Sequence, residues 1–202
     1  MKLLRTKKAA MFGLDARIAL AIFGALSVIS GAALYGAIQN AKVTAVIADA
    51  NEVAKAVEAY YLDTGELPPL SSTNAAANLN VEALTTAPSG VTGWNGPYLG
   101  YTESSTVEAL NHPTQGNLTI AYRRVGDWTD FVDGFCKKSD SACEVYVIFE
   151  NANLALNQAI EKQIDGTAIP GVENYTGKIR FNASWLDIKM DIPVDPSISP
   201  TS

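Results

Sequence analysis

The feature that most constrains this chain is Ile18–Ile38, IALAIFGALSVISGAALYGAI, a run of 21 residues without a charged side chain. A bilayer core is spanned by roughly 20 apolar residues in a helix, so the run reads as a membrane-length helix. Lys2, Arg5, Lys7 and Lys8 precede it. Cations flanking an apolar segment are held on the cytoplasmic side. The residues after Ile38 are therefore expected on the other side, in the periplasm or outside the cell.

Past Ile38 the pattern changes without a break. Val43, Val46, Ile47, Ala50, Val53, Ala54, Val57, Tyr60 and Tyr61 recur every three or four residues, with Asp49, Glu52, Lys55 and Glu58 between them. That period predicts a helix with one buried stripe. No proline interrupts residues 14–62, so one helix is expected through both parts, with Gly31 and Gly36 permitting a bend. Asp63-Thr64-Gly65, followed by Pro68-Pro69, is a strong stop signal.

Three readings of the N-terminus compete. A secretory signal peptide has a shorter apolar region of 7–15 residues with a small-residue cleavage site behind it, whereas here the helical period continues through the end of the run. A plain single-span anchor gives no reason for Asp15 and Arg17 at the edge of the run, where charge is costly in lipid. A leader removed before the run would leave the helix, Asp15 and Arg17 in place.

The rest of the chain is polar and acidic. The formal net charge is −6, and losing the four leader cations takes it to −10. Nucleic-acid binding needs clustered Lys and Arg, so nucleic acid is not expected as a partner. Cys136 and Cys143, in CKKSDSAC, close a short polar loop. They read as a disulfide in an oxidising compartment and otherwise as two thiols. His112 is the only histidine and stands before Pro113; it reads as a loop residue, and a zinc or redox site is not expected. No nucleophile motif, phosphate loop or HExxH occurs, and the chain is not expected to be an enzyme. Asp127, Asp130, Asp133 and Asp140 cluster around the cysteine loop. Clustered oxygens can bind calcium, but the spacing is not that of an EF-hand, and a solvated loop is the simpler reading.

Residues 117–125 and 144–149 read as strands, 151–164 as a helix capped by Asn151 or Asn153, and 178–181 with 185–192 as a final hairpin around Asn182-Ala183. The tail VDPSISPTS reads as mobile. The fold expected is α+β: a long N-terminal helix, half membrane and half amphipathic, packed on a small antiparallel sheet whose strand order is not legible.

Several segments resemble type II secretion pseudopilins of the major type and type IV pilins. LAIFGALSVISGAAL is similar to their apolar helix, and an acid before it matches their glutamate at the fifth mature position. If Gly24 takes the place of their glycine near the fourteenth mature position, the mature chain starts at Met11 and Asp15 falls fifth. The resemblance then implies cleavage between Ala10 and Met11. It departs from the family in having Ala where Gly is usual before the cut, and Asp for Glu. A cut between Gly13 and Leu14 restores the glycine but moves the acid. VAKAVEAYYLDTGELPP is similar to the helix exit of these proteins, and VEALTTAPSGVTGWNGPYLGY to their short helix, proline and Trp-x-Gly-Pro-Tyr run. Trp94, Gly96, Pro97 and Tyr98 carry that match and are read as structural, wedging the loop onto the helix. The likeness fades after about residue 100, and nothing here matches the family's C-terminal calcium loop residue by residue.

The resemblance implies a leader 1–10 (or 1–13), an apolar helix 11–38, an amphipathic continuation 39–64 and a head 65–202. It implies a single-pass protein of the bacterial inner membrane, N-terminus cytoplasmic, with its head in the periplasm or on an extracellular filament. The partners implied are copies of itself or other pilin-like subunits, a prepilin peptidase that also methylates the new amine, an inner-membrane assembly platform, and the lipid bilayer before assembly. Asp15, Arg17 and Gly24 are the assembly residues it implies. Other readings are a pilus-associated adhesin, a DNA-uptake minor pilin, or a single-span anchored binding protein.

Overall fold

A computed structural model of the chain describes residues 6–71, 78–106, 108–137, 140, 142–150, 153–166 and 173–192, with side chains from Gly13 onward. Asn151 and the tail 194–202 lie outside the described residues, as do leader residues 1–5. Helix α1 spans Thr6–Thr64. The chain divides into two compact units, Met1–Lys42 and Val43–Ser202. The first is the apolar part of α1. Ser27 Oγ donates to Phe23 O at 2.8 Å within it, which satisfies the hydroxyl against its own helix.

The second unit begins with the amphipathic part of α1. The helix ends as the sequence indicates: Gly65, at φ 80°, donates its N–H to Tyr61 O at 2.8 Å, and only a glycine takes that left-handed cap cheaply. Then come β1 (Asn78–Leu79), a short 3-10 helix Val81–Leu84, β2 (Thr102–Glu103), β3 (Leu110–His112), β4 (Gly116–Arg124), β5 (Cys143–Glu150), α2 (Leu154–Ile164), β6 (Ile179–Phe181) and β7 (Trp185–Lys189). The sheet is antiparallel, in the order β2-β3-β4-β5-β7-β6, with β1 also on β4.

Strand alternation sorts the sheet into two buried faces. Register places Leu118 opposite Phe149, Ile120 opposite Val147 and Tyr122 opposite Val145, with Leu186 and Ile188 next to them. These side chains share a core with Val46, Ala50, Val53, Val57 and Tyr60 of α1. The predicted stripe of the amphipathic helix is thus the half that the sheet covers, with one correction at its end: Tyr61 is exposed, because the helix turns it away from the face that carries Val57 and Tyr60. At roughly 1.5–3 kcal/mol per fully buried large apolar side chain, this contact is the main attraction holding the head together.

The hairpin β6–β7 turns at Asn182, whose N–H bonds Trp185 O at 3.0 Å. Asn153 caps α2, its Oδ1 accepting from Ala155 N at 2.9 Å and Leu156 N at 3.3 Å. One expectation is corrected: His112 is not a loop residue. It ends β3, is buried, and lies 3.0 Å from Asp49 of α1. A lone histidine beside proline carries no local sign of a partner 63 positions away.

Candidate functional site

The apolar part of α1 is the chain's most unusual surface. Large apolar side chains from Leu14 to Ile38 are exposed, from 45% at Ile38 to 73% at Val28. A contiguous apolar surface of this extent does not persist in water; it is covered by lipid or by protein. The helix is long and apolar enough to cross a membrane. A Cβ added at Gly24, Gly31 or Gly36 would meet nothing within 4 Å. The helix itself therefore gives no steric reason for glycine there. Small residues on an apolar helix let a second helix approach closely.

Asp15 and Arg17 lie at the edge of this surface, both exposed. Neither has an ion-pair partner among the described residues. They are two residues apart and do not share a helix face. The backbone at both expected cleavage positions, Ala10–Met11 and Gly13–Leu14, lies inside α1.

The second feature is the seat of the Trp-Asn-Gly-Pro-Tyr loop at the end of α1. Tyr98 donates its hydroxyl to Asp63 Oδ2 at 2.9 Å and accepts Asn95 N–H at 2.9 Å. Its backbone N–H reaches Leu84 O at 2.8 Å. Trp94 Nε1 donates to Ala83 O at 2.8 Å. The Tyr98 ring stands edge-on to Tyr60 and Trp94, with centroids 5.7 Å away in both cases. Burial first, and Tyr98 second, push the Tyr60 phenol above its ordinary range. The Gly96–Pro97 peptide is cis. Gly93, at φ 84°, packs so close that a Cβ would lie 2.3 Å from Asp63 O. The wedge is thus built on backbone contact with the last turn of α1.

The third feature lies on the sheet face turned away from α1, and sequence reasoning missed it. Arg123, Tyr146, Asp187 and Arg180 are buried there. Arg123 Nη2 is 2.8 Å from Asp187 Oδ2. The loop after β4 folds back to cover them. The Arg123 guanidinium lies 4.2 Å from the Phe131 ring and 4.5 Å from Phe135, and that of Arg180 lies 4.0 Å from Trp128. Such stacking adds attraction when the cation is desolvated. Burial lifts the Asp187 carboxyl to about 6, against the opposing pull of Arg123 and Arg180. The alternation in NLTIAYRRV was the available signal: it places Arg123 on the face opposite Leu118 and Ile120. The aromatic run in the following loop tells that this face is covered.

Cys136 and Cys143 form a disulfide that closes the loop where β5 begins. The acids nearby serve to build the loop. Asp133 Oδ2 accepts from Arg124 Nη2 at 2.7 Å, Thr129 N at 3.0 Å and Thr129 Oγ1 at 3.2 Å. Asp130 Oδ1 accepts from Asp133 N at 2.8 Å, and Asp140 Oδ2 from Lys137 N at 2.7 Å. The Thr129 N–H, then Arg124, hold the Asp133 carboxyl below its ordinary range. Arg124 Nη2 also bonds the backbone carbonyl of Asp127 at 2.6 Å. Among the described residues no group of three or more His, Cys, Asp or Glu side chains is placed to hold a metal ion.

A long N-terminal helix, exposed and apolar in its first part and packed on an antiparallel sheet in its second, defines a pilin-like subunit. Residues 33–115 match the family model of type II secretion system (T2SS), protein G. The chain is 31% identical over 127 residues to the type II secretion system core protein G of Xanthomonas campestris pv. campestris, an alignment covering 63% of this chain and 76% of that one. The chain belongs to the type II secretion system protein G family, the major pseudopilins, which are structural subunits of the pseudopilus. No solved structure matches it. Family and helix together fit a single-pass anchor in the inner membrane.

Proposed function

We propose that the subunit waits in the inner membrane with its N-terminus cytoplasmic and its head in the periplasm. A prepilin peptidase cuts between Ala10 and Met11 and methylates the new amine. An inner-membrane assembly platform then draws the apolar helix out of lipid and into a pseudopilus of like subunits. The observation that carries this reading is the exposed apolar surface from Leu14 to Ile38. It exchanges one apolar setting for another, so leaving the bilayer costs little. The disulfide supports a head in an oxidising compartment. The reading assigns the subunit no catalysis and no cofactor.

Asp15 is the proposed register residue. A cut at Met11 would place a cationic amine at the N-terminus of α1, where the helix dipole is already positive. A carboxylate entering an apolar bundle needs a cation, and the amine of a neighbouring subunit supplies one. Arg17 would reach lipid headgroups or a neighbour's acid by extending its long side chain. The test is Asp15→Ala in the secreting cell. Membrane insertion and leader removal are expected to be unchanged while sheared pseudopilus disappears. Wild-type amounts of pseudopilus from that variant would refute the pairing.

A further inference from the structure

We propose that His112 and Asp49 form a proton-operated latch, in which acid releases the turn between β3 and β4 while the tie to α1 holds. His112 is 7% exposed at the end of β3. Its Nδ1 accepts two backbone N–H groups, from Thr114 at 3.3 Å and Gln115 at 3.1 Å. A nitrogen that accepts carries no proton. The ring's proton is therefore on Nε2, which lies 3.0 Å from Asp49 Oδ2 and donates to it.

The two sides of the ring respond to a second proton in opposite ways. On the Nε2 side the hydrogen bond becomes a charged pair with Asp49 and tightens. On the Nδ1 side a new N–H would face two N–H donors, and the turn Pro113–Gln115 must open. The rings of Tyr101 and Phe149 meet the imidazole edge-on, with centroids at 5.4 Å and 5.2 Å, so the ring has little freedom to turn away.

Among the described residues, few titratable groups face the ring. From α1 come the carboxylates of Asp49 and, beside Tyr101, Glu52. The Tyr101 phenol is pushed up to about 12 by burial, then by these two acids, and so stays uncharged wherever imidazole titrates. Phe149 of β5 and the side chains of Thr114 and Gln115 carry no charge. Imidazole is the side chain whose charge changes between pH 5 and 8, and an exported head meets the pH outside the cytoplasm.

His112 is the only histidine in the chain, so its ring signals need no assignment. The experiment uses the full-length protein in detergent micelles, following the imidazole nitrogens by NMR and amide exchange by the same method. At pH 7.5 the Nε2–H tautomer is expected, with Thr114 and Gln115 amides protected. The pH is then lowered until the nitrogen signals show the second proton on the ring. Protection at those two amides, corrected for intrinsic exchange, then falls at least tenfold while Val147 and Ile148 of β5 do not change. In His112→Gln the two amides show no pH-dependent change. An Nδ1–H tautomer at pH 7.5, a ring that takes no second proton before the head unfolds, or a charged ring with unchanged protection overturns the latch, and all three are read on the unmutated protein.

Discussion

Arg123 and Asp187 meet at 2.8 Å with side chains 0% and 1% exposed, which makes the outer face of the sheet a second interior. Removing one partner of such a pair leaves the other buried without its counter-charge, at a cost of about 3–5 kcal/mol. Arg123→Ala is expected to lose that much in urea melts at pH 7. It also strips the stacking with Phe131 and Phe135. The loss should shrink at pH 5, because the carboxyl left behind can take a proton. In the unmutated protein Asp187 is lifted to about 6, above the ordinary carboxylate value of about 4. The folded state therefore holds the extra proton, and this group's share of stability falls as pH rises from about 4 to about 6. A cost of Arg123→Ala that is the same at both pH values contradicts this.

Gly93→Ala is expected to destabilise the head by about 2 kcal/mol or more. The residue sits at φ 84° with a would-be Cβ 2.3 Å from Asp63 O, and positive φ is strained for any side chain. Tyr98→Phe removes one hydroxyl that both donates and accepts, and about 1 kcal/mol is expected. Thermal melts of the two variants check both values. A neutral Gly93→Ala would mean that the loop is not seated on the end of α1.

Opening the disulfide by Cys136→Ser with Cys143→Ser should cost about 2–3 kcal/mol, the loop-closure value for a separation of 7. The Trp128 and Phe131 contacts with the two arginines remain, so the loop should stay folded. Tryptophan fluorescence of the double variant is expected to keep its buried character. A shift to the spectrum of exposed indole would show that the disulfide, rather than the arginine stacking, holds the loop.

Calcium is expected to leave the melting temperature unchanged. The carboxylates of Asp130, Asp133 and Asp140 already accept hydrogen bonds from within the loop. Melts in millimolar calcium and in chelator check this. A rise of several degrees with calcium would mean that these bonds are exchanged for an ion.

Much of the fold was legible because it is carried by long periodic segments. The uncharged run, the three-to-four-residue stripe after it and the Gly65 stop describe α1. Alternation marks β4 and β5, and a hydrophobic period behind Asn153 marks α2. Strands β1, β2 and β3 are two or three residues long, too short for any period to show. The His112–Asp49 contact and the Arg123, Arg180 and Asp187 cluster join residues far apart in the chain. Their burial is a property of the sheet and its covering loop, which local pattern does not encode. Residues of the Trp-Asn-Gly-Pro-Tyr run were legible by resemblance, but the reason for Gly93 is visible only in its approach to Asp63.

The central claim is that the apolar part of α1 remains in the working subunit. Intact mass and terminal sequencing of the protein extracted from membranes, and again from sheared pseudopilus, test it most directly. Both pools are expected to begin at Met11, methylated on the amine. A chain that begins beyond residue 38 in either pool would contradict the account, because no apolar surface would then be left to tether or to pack.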